Sequence, residues 1–230
     1  MEFNKYNFTS NDFSEKRQKE HILFNSDGQH QPNNVIGSKY PKTNSFHYQM
    51  EEIAPYLKNK RHAIDIGSRW GSCACECQNL GFEYVHLIEI QQKYFKGISY
   101  NVDFSKADGY NYAAGDRVGY WNPRTHKTQD KEASGSIPSI SGDSLNVEHC
   151  DFIKIDTDGP DRLALDGCWE TIQRCKPIIY IELDEGQRAW ESKHGLASEL
   201  DKVWWKVCDL YTVIRSKVEK DNYIMVPKND

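Results

Sequence analysis

Apolar positions in this chain fall into short runs that stop at acids or glycines, and stretches with helical spacing lie between them. Ala63 to Ile66 is the first run; Gly67 closes it, and a helix from about Cys73 to Leu80 follows, stopped by Gly81. Tyr84 to Ile90 reads as a second strand with Glu89 at its tip, and Gln91 to about Asn101 as the next helix. Tyr110, Tyr112 and Ala114, then Val118 and Tyr120, predict a short strand pair around Gly115-Asp116. Cys150 to Asp156 reads as a buried strand tipped by Asp156, with a helical stretch through Leu163 and Leu165 to Gly167 behind it. Pro177 to Leu183 is another strand, with Glu182 near its end. Leu196, Leu200, Val203, Trp204 and Val207 have the spacing of an amphipathic helix. Tyr211 to Arg215 and Asn222 to Val226 then form two strands that can pair antiparallel.

The remaining stretches carry less pattern. Residues 1–45 are polar with scattered aromatics (Phe3, Tyr6, Phe8, Phe13, Phe24), which predicts an N-terminal extension or lid ahead of one domain over 46–230. Phe46, Met50, Ile53, Ala54 and Leu57 have helical spacing, with Pro55 near the end. Asn122 to Ser136, with Pro123, His126 and Gly135, reads as a loop.

Composition narrows the choices. A chain of 230 residues suits a single core, and a mean hydropathy of -0.78 leaves part of the chain outside it. The net charge of -5 gives a nucleic-acid partner no help from the overall field. No apolar run approaches a membrane span or a signal peptide, and seven cysteines without disulfide-like regularity suit a reducing compartment, so a cytoplasmic location is expected. Cys73, Cys75 and Cys77 resemble a metal cluster, but on a helix Cys75 points away from the other two. Small buried core residues are the expectation.

The chemistry centres on Asp65-Ile66-Gly67-Ser68-Arg69-Trp70-Gly71, a D-x-G-x-x-x-G turn between strand and helix. The dinucleotide fingerprint would need a glycine where Arg69 stands. A ligand carrying both an amino group and a carboxylate fits better, and S-adenosyl-L-methionine is such a ligand. Its ammonium suits Asp65, and its carboxylate suits backbone N–H groups around Gly67, Ser68 and Gly71. Glu89, twenty-four residues beyond Asp65, stands where doubly wound sheets place an acid for ribose hydroxyls. Asp116, at the expected end of a third strand, either touches the adenine amino group or shapes a turn.

Taken together, the pieces resemble the FkbM-type family of S-adenosylmethionine-dependent O-methyltransferases over roughly residues 60 to 228. Asp65-Ile66-Gly67 with Gly71 and Glu89 is similar to its cofactor half. Lys154-Ile155-Asp156-Thr157-Asp158-Gly159-Pro160-Asp161, with Leu165 and Gly167, resembles its K-I-D-x-E-G-x-E…L-x-G signature. Gly142-Asp143-Ser144-Leu145 resembles the preceding T-L-D-x-L, and Pro177 to Glu182 the P-x-I-x-x-E strand. Asp158 and Asp161 replace the usual glutamates, and Arg69 replaces a common asparagine. The resemblance implies a Rossmann-like class I methyltransferase fold: an α/β architecture with a seven-stranded, mostly parallel sheet, an antiparallel last strand pair and helices on both faces.

Methyl transfer to a hydroxyl needs alignment and a proton acceptor. Asp156, or Asp158 two residues on, is the candidate to take that proton or orient the hydroxyl; the alternative is that Asp158 and Asp161 cap the next helix. Asp156, Asp158 and Glu182 would gather around a divalent cation only as a secondary possibility, and no metal is expected. Neither an N-P-P-Y-like turn after the Asp156 strand nor a Pro-Cys pair occurs, which leaves a hydroxyl of a sugar or other small molecule as the expected acceptor. Aminopropyl transfer on the same fold and a non-catalytic cofactor-binding or interaction module are the alternatives.

Overall fold

The computed structural model describes residues 46–228 apart from 100, 126 and 194 and the side chain at 190. It also describes a short antiparallel pair, Ile22–Phe24 with His30–Pro32. The expectations for the rest of residues 1–45 and for His126 lie outside the described residues.

A seven-stranded sheet organises the domain. Its strands, in chain order, are β1 (His62–Ile66), β2 (Tyr84–Ile88), β3 (Ala107–Tyr110), β8 (Cys150–Ile155), β9 (Ile178–Glu182), β10 (Tyr211–Arg215) and β11 (Asn222–Pro227). Across the sheet they run β10-β11-β9-β8-β1-β2-β3. All pairs are parallel except β9 with β11 and β10 with β11. The missing numbers belong to a small second sheet formed by β4 (Ala113–Ala114), β5 (Gly119–Asn122), β6 (Lys127–Gln129) and β7 (Ile137–Ile140).

Parallel strands are covered on both faces, and side-chain alternation decides which residue meets which layer. Ile64, Ile66, Ile153, Ile155, Ile179 and Ile181 face one layer, built from α4 (Asp161–Asp166), α5 (Trp169–Cys175) and α7 (Ala197–Leu210), which supply Leu165, Ile172, Val203 and Val207. Ala63, Val85, Leu87, Phe152 and Tyr180 face the other layer, built from α1 (His47–Ile53), α2 (Ser72–Leu80) and α3 (Gln92–Ile98). Each fully buried aliphatic or aromatic side chain contributes about 1.5–3 kcal/mol, so these two layers fix the register of every strand. Cys73 and Cys77 pack in the second layer as small apolar groups, as expected for one face of α2. Among the described residues no helix is long and apolar enough to cross a membrane.

Two sequence expectations need correction. Ala113–Ala114 and Gly119–Asn122 do not pair with each other around Gly115-Asp116. β4 pairs in parallel with β7, and β5 pairs antiparallel with both β7 and β6. The third strand of the main sheet therefore ends at Tyr110, not at Asp116. The expected loop from Asn122 to Ser136 contains strand β6 and begins the hairpin that completes the small sheet. Lys127-Thr128-Gln129 is too short and polar to announce a strand; Thr128 is nonetheless buried.

Helices α5 and α6 (Glu185–Lys193) were also missing from the sequence pattern. The start of α5 is capped from outside: Asp143 accepts from the N–H of Glu170 (2.9 Å) and of Thr171 (2.8 Å).

Candidate active site

From β1 the chain proceeds through β2 to β3 on one side and later returns to β8 on the other, so strand order reverses between β1 and β8. Open α/β sheets bind ligands beyond the carboxyl ends of strands at such a point. Here those ends are Ile66-Gly67 and Ile155-Asp156, joined by the Asp156 N–H donating to the Ile66 carbonyl at 3.1 Å.

The glycine turn is built by close approach. Gly67 (φ 74°), Arg69 (φ 49°) and Gly71 (φ 76°) are all left-handed. A Cβ on Gly67 would stand 1.7 Å from the Asp156 carbonyl oxygen, and one on Gly71 would meet Val102 Cγ2 at 2.8 Å. Ser68 is buried; its hydroxyl donates to the Asp65 carbonyl at 2.7 Å and so serves the turn itself. Trp70 packs the Cε3–Cζ3 edge of its ring against Gly97, where a Cβ would stand 2.2 Å from Cζ3, and is T-shaped to Tyr94 at 4.8 Å between centroids.

Two of the predicted acids meet at this turn. Asp65 is 1% exposed; its Oδ2 accepts from the N–H of Ala74 in the first turn of α2 at 3.2 Å. Its Oδ1 has no hydrogen-bond partner among the described residues and lies 3.6 Å from Lys154 Nζ. Glu89 is buried just past β2, its Oε2 accepting from the Arg69 N–H (2.8 Å) and its Oε1 from the Gln91 N–H (2.7 Å). Burial pushes both carboxyls above their ordinary range. Asp116 lies beyond the end of β3 and pairs with Arg117 at 2.5 Å, and Arg117 also donates to the Thr128 carbonyl of the small sheet at 2.8 Å.

The second half of the site follows β8 and β9. Carboxylate oxygens of Asp156, Asp158 and Glu182 all lie within 4.8 Å of one another. Asp156 is the one beside a cation, 3.4 Å from Lys154 Nζ. Asp158 is exposed with a left-handed backbone (φ 54°). Asp161 is buried and accepts from the Thr157 N–H (2.7 Å) and hydroxyl (3.0 Å), bracing the loop that carries Asp158. Burial, then Asp156, pushes Asp161 up to about 6. Burial, then the charges of Asp156, Asp161 and Asp158, pushes Glu182 up to about 8, with Lys154 opposing. Three carboxylates of this kind have the hard-donor chemistry of a cation site. Lys154 already places one positive charge among them.

The raised pKa of Glu182 has a measurable consequence. The native state keeps this proton up to about pH 8, whereas the unfolded chain releases it near 4.5. Between those values the native state binds more protons, so this group's contribution to stability falls as pH rises through the window. Thermal melts from pH 5 to 8 are expected to show the wild type losing melting temperature relative to Glu182→Gln. Parallel curves for the two proteins would remove the repulsive cluster.

Lys154, quoted as the first residue of the signature, is a site residue to which the sequence reading assigns no role. Its signal was visible: a lysine inside the otherwise apolar run Phe152-Ile153-Lys154-Ile155. Other parts of the signature turn out to serve packing. A Cβ on Gly167 would meet the Gly115 carbonyl oxygen at 2.1 Å, and one on Gly142 the Cys168 sulfur at 2.4 Å.

The model of the family described as "Methyltransferase FkbM domain" matches residues 70–223. Among solved structures, the methyltransferase FkbM from Methylobacillus flagellatus KT is 18% identical, with a TM-score of 0.51 over 72% of this chain and 43% of that one. The present chain thus spans less than half of that protein's length. A Staphylococcus aureus protein assigned to the caffeoyl-CoA O-methyltransferases is 10% identical, with a TM-score of 0.50 over 96% of this chain and 93% of that one. At these identities the likeness is one of fold. No curated protein sequence matches the chain.

Proposed function

The chain belongs to the methyltransferase FkbM domain family, and from that premise we propose that it is an S-adenosyl-L-methionine-dependent methyltransferase acting on a hydroxyl of a sugar or other small molecule. The observation that carries the cofactor assignment is Asp65 Oδ1, a buried acceptor without a hydrogen-bond partner among the described residues, at the reversal of strand order. A buried acceptor of that kind is costly unless something donates to it. The α-ammonium of the cofactor is a donor of the right charge.

The other residues fit around that contact. The N–H groups of Gly67 and Ser68 donate to the Ile88 carbonyl, that of Gly71 to the Ser68 carbonyl and that of Arg69 to Glu89, so the cofactor's carboxylate is left to the first N–H groups of α2. Glu89 retains lone pairs beyond those used by Arg69 and Gln91, and these suit ribose hydroxyls. When bound, S-adenosyl-L-methionine supplies an electrophilic methyl group on a sulfonium. Asp156, following β8 on the adjacent strand tip, orients the acceptor hydroxyl, and Asp156 or Asp158 takes its proton as the oxygen attacks. Asp116, beyond the strand end at Tyr110 and paired with Arg117, is left out of the proposed cofactor set.

The convergence of Asp156, Asp158 and Glu182 is the one observation favouring aminopropyl transfer to a polyamine, since three acids would hold an amine as well as they orient a hydroxyl. Calorimetric titration separates these readings. S-adenosyl-L-methionine is expected to bind the wild type in the micromolar range, with binding lost in Asp65→Ala and Glu89→Ala, while NADH does not bind. Tighter binding of the decarboxylated cofactor would favour the polyamine reading. A folded wild type that binds neither form would end both.

A further inference from the structure

Lys154 is 5% exposed in the centre of the sheet, a position that an ammonium occupies only with partners. The register supplies them. Lys154 of β8 stands directly opposite Asp65 of β1, and alternation turns both toward the α2 layer. From there the side chain runs up to the crevice. Its Nζ donates to the Gly67 carbonyl at 2.7 Å, with the Ile66 and Asp156 carbonyls at 3.4 and 3.5 Å. Asp65 Oδ1 lies 3.6 Å away and Asp156 Oδ2 3.4 Å away. Every one of these partners belongs to the tip of β1 or of β8, the two strands between which the ligand crevice opens.

We propose that Lys154 is a positioning residue for the cofactor, a built-in cation that ties the two strand tips together and fixes the Asp65 carboxylate and the glycine turn where the α-ammonium is received. This rests on the methyltransferase reading. The lysine itself lies beneath the turn and acts through Asp65. Without it, Asp65 has only the Ala74 N–H to hold its charge in a buried place, and a carboxyl that rotates or takes up a proton no longer offers Oδ1 as an acceptor. Burial by itself would favour the neutral amine, but Asp156 and Asp65, with Glu89 further off, raise the pKa instead, which keeps the cation in place.

The sign of the effect separates positioning from bulk charge. S-adenosyl-L-methionine carries a net positive charge and its product S-adenosyl-L-homocysteine does not. If Lys154 contributed only its charge to the site, removing it would tighten binding of the cation.

The test is calorimetric binding of both ligands to the wild type, Lys154→Met, Asp65→Asn and the double variant, with a thermal melt of each unliganded protein. Lys154→Met and Asp65→Asn are each expected to weaken S-adenosyl-L-methionine by roughly tenfold or more, about the effect of one lost polar contact. The double variant is expected to be no weaker than the poorer single variant, because the lysine acts through the aspartate. Losses that add, or a methionine variant that binds as well as or better than the wild type, would overturn the inference. If Lys154→Met does not fold, Lys154→Arg keeps the charge and is expected to bind within roughly tenfold of wild type; a folded arginine variant without binding would count against it. A folded wild type that binds neither ligand removes the methyltransferase reading, and this inference with it.

Discussion

Gly67→Ala is expected to abolish cofactor binding and to lower the melting temperature by on the order of 10 °C, from a cost of about 3–5 kcal/mol at roughly 2–4 °C per kcal/mol for a chain of this size. Two effects act at once. The backbone φ of 74° costs an L-residue about 1–2 kcal/mol, and the new methyl group would stand 1.7 Å from the Asp156 carbonyl oxygen. Backbone cannot give way as a side chain can, so the tips of β1 and β8 must separate. That strains the hydrogen bond from Asp156 N to the Ile66 carbonyl and the one from Lys154 to the Gly67 carbonyl. Gly81→Ala is the control. Gly81 has φ 95°, but nothing lies within 4 Å of its missing Cβ, so only the backbone strain remains and cofactor binding is expected to persist. If Gly67→Ala binds the cofactor as the wild type does, close approach is not what the turn requires.

The contrast between these glycines shows where the sequence was legible. A D-x-G-x-x-x-G turn and a Gly after a helical run can be recognised because each reflects local backbone chemistry: Gly71 precedes α2 and Gly81 ends it, both left-handed. The apolar runs of β1, β2, β8 and β9 were equally plain, since strands buried on both faces leave an unbroken signal. Long-range partners leave no such signal. Gly115 gave no warning that it faces Gly167, nor Asp143 that it caps α5. The placement of Asp116 at the end of the third strand went wrong for the same reason: that end depends on pairing with β2, and the pairing stops at Tyr110. Glu89 directly follows β2, yet its bonds to Arg69 and Gln91 N–H groups, which close the turn, emerge only in three dimensions.

Arg162→Met is expected to destabilise the fold by about 3–5 kcal/mol, the usual result of leaving a buried carboxylate without its partner. Arg162 is 3% exposed at the start of α4, where its guanidinium donates to the carboxylates of Glu191 on α6 and Asp201 on α7. The two partners differ in weight. Glu191 is 4% exposed, so Arg162→Met strands its charge in the interior; the Asp201 side chain is 42% exposed and water can replace the arginine. Asp201→Asn is therefore expected to cost about 1 kcal/mol or less, and chemical denaturation of the two variants should rank them in that order. Arg162→Met combined with Glu191→Met should recover most of the loss, because a buried ion pair and an apolar pair of similar volume are often close in stability. The consequence reaches the site through one bond of the chain. Arg162 follows Asp161, which holds the Thr157 N–H and hydroxyl and so braces the loop carrying Asp158. Loosening α4 should disturb that loop while leaving Asp65 and the glycine turn alone. Cofactor binding that survives in folded Arg162→Met, with methyl transfer reduced, would place the acceptor on the β8 side of the crevice; equal loss of both would mean that α4 supports the two halves together.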